Sequence, residues 1–400
     1  MKSLSPPASL SDYPKIPSVL GPHTSYLWPT PIWRWACGLL NTIEKYRGVF
    51  IAGLLAGLIA ESLSFLFGAS WYSYDNYVAR LTGLSPNPFK VGAVSIPYPE
   101  HRLRLLGPVI AWAIGLRGTC GVLVPIMANI PLLALVYMFI RRKTSVQMGL
   151  AATLLMATTH LTMSSRTLLG YHDSLVYLCC MGVLLARHPL LRGGLMFLAM
   201  YGDVRAVMIC PFLLIWPDGA QPGIPPLGVM VKRTLTCALA IGVWLVSAKI
   251  LLHLFQYDQL ATNRMQLYFA GKFFDVIKAN RIHLSAFVAF NSAWFFLLVA
   301  VWEIGRRKWL WGGYLLMVLI GIAGPSVIVH DISRALVYCF PFILLGMVAI
   351  WRRSPQACTI ATGMCLIFNL MMPTYHGFTF GLWEISYPLP LEIIRQALGR

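Results

Sequence analysis

The chain has 400 residues, of which 58% are hydrophobic and only 12% charged. Soluble globular chains carry about a quarter charged residues, so this composition excludes a soluble domain and points to a protein that crosses a membrane many times. The formal charge of +18 would suit a nucleic-acid partner, but the basic residues stand in short groups at the ends of apolar runs. That placement sets membrane topology and does not make a phosphate-tracking patch.

Residues 1–32 are polar and Pro-rich and contain no cleavable signal sequence, so they read as a cytosolic, disordered tail. Residues 33–47 mix Trp33, Trp35, Leu39 and Leu40 with Arg34, Glu44, Lys45 and Arg47, the make-up of a helix lying in the headgroup region. A transmembrane domain over 48–372 follows, opening with a span at 48–70 and interrupted by extracytoplasmic loops at 71–104 and 256–283. The apolar stretch 105–140 is too long for one helix and is broken at Arg117 and Gly118. It reads as a partly inserted helix over 103–116 and a crossing over 120–140.

Further apolar runs lie at 146–164, 175–186, 190–216, 235–255, 284–303, 310–329, 335–351 and 358–372. The run 190–216 is interrupted by Gly202, Asp203 and Arg205. Each half is too short to cross a hydrocarbon core of about 30 Å at about 1.5 Å per residue, so a re-entrant hairpin or a tilted pair is expected, with its tip at Asp203. The fold class is therefore all-α: a polytopic membrane helix bundle of about 9–11 membrane helices, short and re-entrant ones included. Residues 373–400 form an extracytoplasmic tail.

Orientation follows from the basic groups. Lys45 and Arg47, Arg141 to Lys143, Arg187 and Arg192, Lys232 and Arg233, Arg306 to Lys308, and Arg352 and Arg353 all face the cytosol when the spans alternate in this way. The N-terminus is then cytosolic, in a membrane expected to be the bacterial inner membrane. The same alternation puts nine of the fourteen acids on the outer face: Asp75, Glu100, Asp173, Asp203, Asp258, Asp275, Asp331, Glu384 and Glu392.

Four of these outer turns pair an acid with a base: YSYDNYVAR with Asp75 and Arg80, PEHRLR with Glu100, Arg102 and Arg104, GDVRA with Asp203 and Arg205, and HDISRA with Asp331 and Arg334. Arg166 and the GYHDS turn, with His172 and Asp173, add a fifth group. Ionisable groups at membrane depth are costly, so their convergence on one face points to function. An arginine fork binds phosphate oxygens in pairs, and a carboxylate can deprotonate a hydroxyl. The plainer reading of any single pair is a helix-capping Asp beside an interfacial Arg. HDISRA fits that reading well, and GDVRA, which interrupts an apolar run, fits it poorly. Glu61 reads as a buried hydrogen-bonded acid and His160 as a packing residue. The nine cysteines show no CxxC or paired extramembrane set, so neither a disulfide framework nor a zinc site is expected.

The order of a long first outer loop with an acid soon after the first span (Asp75), the RLRLLGP segment opening the next helix, the GYHDS turn, GDVRAVMICPFLLIW and the late HDISRALVYCFPFILL resembles polytopic glycosyltransferases of the C-type fold (GT-C). The resemblance is one of layout over about residues 48–372. It implies transfer of a sugar from a polyprenyl-phosphate donor to a glycan, lipid or protein acceptor on the extracytoplasmic face, with membrane lipids as surroundings and no nucleic-acid partner. Asp75 would act as base, with Glu100 the next acid in the loop. Arg102, Arg104, Arg205 and Arg334 would hold the donor phosphate, and Arg80, Arg166, His172, Asp173, Asp203 and Asp331 would line the substrate site. Many members carry adjacent acids in the first loop, whereas Asn76 follows Asp75 here, so the base and the need for a divalent metal stay open. No protein-held metal site or organic cofactor is implied, and no nucleotide-binding motif is present. The alternatives are a transporter or flippase of a lipid-linked or anionic solute, and a polymerase of envelope polysaccharide.

Overall fold

A computed structural model of the chain describes residues 30–68, 103–167, 171–217, 225–254, 282–307, 309–328, 332–372, 374–378, 381–386, 394 and 397–398. The N-terminal segment before Thr30, most of the loop expected at 71–104 and nearly all of that expected at 256–283 lie outside these residues.

The described elements are helical up to residue 371. Helix α1 (Pro31–Arg47) is capped by Thr30, whose Oγ1 accepts from the Trp33 N–H at 3.3 Å, and α2 (Val49–Gly68) starts immediately after Gly48. There follow α3 (Leu106–Ala113), a short 3-10 turn (Gly118–Val122), α4 (Leu123–Arg141), α5 (Val146–Ala157), α6 (His160–Thr167), α7 (Asp173–Leu185) and α8 (Pro189–Met200). A 3-10 run (Val204–Leu214) leads to α9 (Leu227–Leu254), α10 (Ile282–Val288), α11 (Trp294–Arg307), α12 (Trp309–Ile328), α13 (Ile332–Leu336), α14 (Phe340–Arg353) and α15 (Pro355–Met371). Four stretches are long and apolar enough to cross a membrane: Cys120–Arg141, Leu227–Leu254, Trp309–Ser326 and Ile332–Arg353. Six shorter apolar helices accompany them. Among the described residues the one departure from helix is an antiparallel hairpin of β1 (Thr374–Phe378) and β2 (Gly381–Ser386), in the segment expected as a tail.

Small residues set the closest packing. A Cβ on Gly57 of α2 would stand 2.6 Å from the Ile130 carbonyl oxygen of α4, a distance no side-chain carbon tolerates. Ala52, Ala56, Ala60 and Ala134 are fully buried, so the two antiparallel helices meet backbone to backbone as small residues allow in a membrane. α4 and α7 run parallel, since Ser174 at the start of α7 donates to the Pro125 carbonyl near the start of α4. Their beginnings define one end of the bundle. Their ends, with Arg141 and Arg187, define the other.

The break expected within 190–216 is present and its geometry is re-entrant. α8 rises antiparallel to α7, the chain turns over at Asp203, and the 3-10 run descends until the Trp216 ring stacks on Phe139 at 4.5 Å, two residues from Arg141. Both halves therefore open on the Arg141 end. Buried arginines satisfy helix-end carbonyls there: Arg233 donates to Leu213 O at 3.1 Å and Trp216 O at 2.9 Å, and Arg192 donates to Val183 O and Ala186 O.

Two further breaks lie within runs expected to be continuous. The run 146–164 splits between α5 and α6, where Thr158 and Thr159 turn their hydroxyls back onto the Leu155 and Met156 carbonyls. The run 284–303 splits between α10 and α11 around Asn291, a non-glycine residue at φ 49°. The breaks face each other. The His160 N–H donates to Ala289 O, and Asn369 of α15 bridges them by donating to Thr158 Oγ1 and accepting from Ser292.

Candidate functional site

Four separate segments meet at the end of the bundle where α4 and α7 begin. The Leu106 N–H at the start of α3 donates to Tyr201 O beside the hairpin tip at 3.1 Å. Gly107 packs against the His172 ring so closely that a Cβ would overlap it. Asp173, first residue of α7, meets Arg334 of α13 across 161 residues of chain: Nε donates to Oδ2 at 2.5 Å and Nη2 to Oδ1 at 2.7 Å. The Tyr171 ring lies 3.6 Å from the Arg334 guanidinium carbon, a cation–π stack, and the Tyr177 hydroxyl donates to Arg334 O at 3.0 Å. Tyr338 meets Tyr177 edge to face, 5.3 Å between centroids.

The second ion pair stands at the hairpin tip. Asp203 caps the 3-10 run by accepting from the Arg205 N–H at 2.9 Å, and its two oxygens take Arg205 Nε at 3.0 Å and Nη2 at 2.5 Å. Arg104 lies 3.7 Å from Asp203, beyond hydrogen-bonding reach. Burial pushes the Asp203 carboxyl up, and the Arg205 and Arg104 guanidiniums beside it more than reverse this, holding it below the ordinary carboxylate range. The two pairs feel each other's charge, with Arg205 and Arg334 in mutual repulsion and Asp173 drawn to Arg205.

The structure thus brings together Arg104, His172, Asp173, Asp203, Arg205 and Arg334, all named from sequence. It regroups some of them. Asp173 pairs with Arg334 and not with Arg166. Arg166 instead holds Glu61 of α2, 3.5 Å from Nε to Oε1, and its Nη2 donates to Ser64 Oγ, Thr162 Oγ1 and the Ala157 carbonyl freed by the α5–α6 break. Asn129 donates to the same Glu61 oxygen at 2.8 Å. Glu61 is therefore the buried hydrogen-bonded acid its position in α2 led one to expect, and Arg166 closes a helix break. His160 Nε2 sits 2.7 Å from Tyr375 O of the hairpin, a packing role. Asp75, Arg80, Glu100, Arg102 and Asp331 lie outside the described residues.

Sequence reasoning missed Tyr171, Tyr177 and Tyr338, which carry no charge to draw attention. The aromatic at 171, two residues before the acid, was the available signal. Arg334 is fully buried and gives Nε and Nη2 to Asp173, so it ties α13 to α7. Arg104, a quarter exposed, makes no hydrogen bond among the described residues. Among the described residues, three guanidiniums against two carboxylates leave one net positive charge, which favours an anion. Among the described residues no three His, Cys, Asp or Glu side chains are grouped to hold a metal ion.

This arrangement defines a helical membrane protein with a buried, cationic cluster at one end of its bundle. No protein-family model, no curated protein and no solved structure matches the chain.

Proposed function

We propose that the chain is an integral membrane glycosyltransferase of the C-type fold, taking a sugar from a polyprenyl-phosphate donor at the Asp203 end of the bundle, on the extracytoplasmic side. The observation that carries this reading is the net positive cluster with Arg104 open at its rim. A lipid-linked phosphate brings the negative charge such a cluster favours, and arginine forks stabilise the phosphate as it departs. Asp203 and Asp173 are engaged by arginines and orient them. The base that deprotonates the acceptor hydroxyl is assigned to Asp75 in the first outer loop, with Glu100 as its neighbour.

The test is consumption of a panel of polyprenyl-phosphate sugars by purified protein in detergent, beside the Asp75→Asn variant. Consumption that vanishes in the variant supports enzyme and base together. Equal consumption moves the base to Glu100, and no consumption of any donor by folded protein sinks the reading. The re-entrant hairpin with Asp203 at its tip favours a second reading, transport of a lipid-linked or anionic solute, because broken helices supply charged ends for ligands in transporters. Flux into proteoliposomes without donor turnover would select it. Sidedness has its own test: Cys120, near the start of α4, is the single exposed cysteine of the nine. A membrane-impermeant maleimide should label it from the extracytoplasmic side, and labelling from the cytosolic side alone would invert the topology.

A further inference from the structure

Helix α1 has two faces. Trp33, Ala36, Cys37 and Leu40, spaced three or four residues apart, are buried, and the helix packs against α2 and α5. A second stripe at 32, 35, 42 and 46 is uncovered, with half-buried Leu39 within it and Ile32, Trp35 and Tyr46 exposed by 79%, 66% and 71%. Aromatic and aliphatic side chains left open on a helix need an apolar neighbour.

The charges beside this stripe are one-signed. Glu44 is the one acid of α1, and its Oε2 accepts from Arg141 Nε at 2.9 Å. Lys45 lies 5.4 Å from the Tyr46 ring centroid, and Lys45, Arg47 and Arg142 are all exposed. The Glu44–Arg141 bridge ties the end of α4, and with it the adjacent Arg142, to the C-terminal end of α1. There α2 begins one residue later, at Val49, and runs apolar for its first twelve residues. The C-terminal end of α1 is thus fixed where a chain passes from water to hydrocarbon, with its stripe beside basic side chains.

We infer that this face is a docking surface for anionic phospholipid. Ile32 and Trp35 seat among acyl chains, Tyr46 sits at headgroup level, and Lys45, Arg47 and Arg142 contact headgroup phosphate and its negative leaflet. Zwitterionic lipid offers the same acyl chains without the net charge, so selectivity resides in the three basic residues. The inference is independent of any glycosyl-transfer activity.

The experiment is native mass spectrometry of the full-length protein with equimolar phosphatidylglycerol and phosphatidylcholine of identical chains. A Lys or Arg near an anionic surface is worth roughly fivefold in affinity, so wild type should retain phosphatidylglycerol by about tenfold or more over phosphatidylcholine. The variant K45Q/R47Q/R142Q should fall to near parity. The variant R187Q/K232Q, which removes two exposed basic residues elsewhere at the same end, should keep the preference. Equal retention by wild type, an unchanged preference in the triple variant, or parity in R187Q/K232Q would overturn the assignment. So would a concentration-dependent dimer that Trp35→Ala abolishes, because a second copy would then cover the face.

Discussion

At the Asp203 end of the bundle Arg334 meets Asp173 with neither side chain more than 5% exposed, whereas at the opposite end Arg353 reaches Glu303 with its own side chain 62% exposed. Glu44 and Arg141 at that second end are each about a quarter exposed. An exposed pair exchanges water for a screened partner and gains little. A buried pair has given up its hydration entirely, and each member depends on the other. The open pairs tack neighbouring elements together at the surface. The buried pairs lock a hairpin tip and a short helix into one rim, with the partly exposed Arg104 beside it among the described residues. Arginines are buried at the opposite end too, where Arg192 and Arg233 bind backbone carbonyls, but the Asp173–Arg334 and Asp203–Arg205 pairs converge at the Asp203 end and mark it as the candidate site.

The contrast can be broken most forcefully at Arg334. Arg334→Met leaves Asp173 buried and alone, with an expected loss of about 3–5 kcal/mol in denaturant or thermal unfolding of the detergent-purified protein. The double variant D173N/R334M should recover a large part of it. A single variant as stable as wild type would show that Asp173 has another partner. Gly57→Leu comes next, an overpacking cost of about 1–3 kcal/mol because the side chain strikes the Ile130 backbone, seen as a lowered unfolding temperature.

Asp203 gives a smaller, pH-dependent effect. Its folded carboxyl titrates below the unfolded value, so the stability it contributes is present above the unfolded pKa of about 3.9 and fades as pH falls through the folded one. Stability followed from pH 7 into the acid range should show this limb in wild type and lack it in Asp203→Asn, which is weakened already at neutral pH. An unchanged acid limb in the variant would place the titrating group elsewhere. Arg353→Gln at the opposite end should cost less than about 1 kcal/mol. A cost as large as that of Arg334→Met would erase the distinction between the two ends.

Much of this frame is legible in the chain. The span before Gly68, the crossing that ends at Arg141 and the interruption at Asp203 follow from apolar length, basic end groups and the polar Gly-Asp-x-Arg insertion. The rest depends on partners far away in sequence. The break at Thr158 and Thr159 carries no glycine or proline, and it is stabilised by the Ala289 carbonyl, Asn369 and Arg166. Sequence proximity pairs the outer-face acids with nearby bases and groups Asp173 with Arg166. That holds for Asp203 with Arg205, and fails for Asp173, whose arginine is 161 residues away. The C-terminal hairpin was hidden for a related reason: TYHGF and GLWEIS are too short to announce strands until they pair with each other and pack on α10 and α13.

Arg104 offers the most direct measurement, because it sits on the rim of the cluster and makes no hydrogen bond among the described residues. Donor kinetics of Arg104→Gln should show KM for the polyprenyl-phosphate sugar raised about tenfold or more, the scale of one charge-assisted contact to phosphate, with the unfolding temperature unchanged. Wild-type donor kinetics in that variant would contradict the assignment of the cationic rim to donor phosphate.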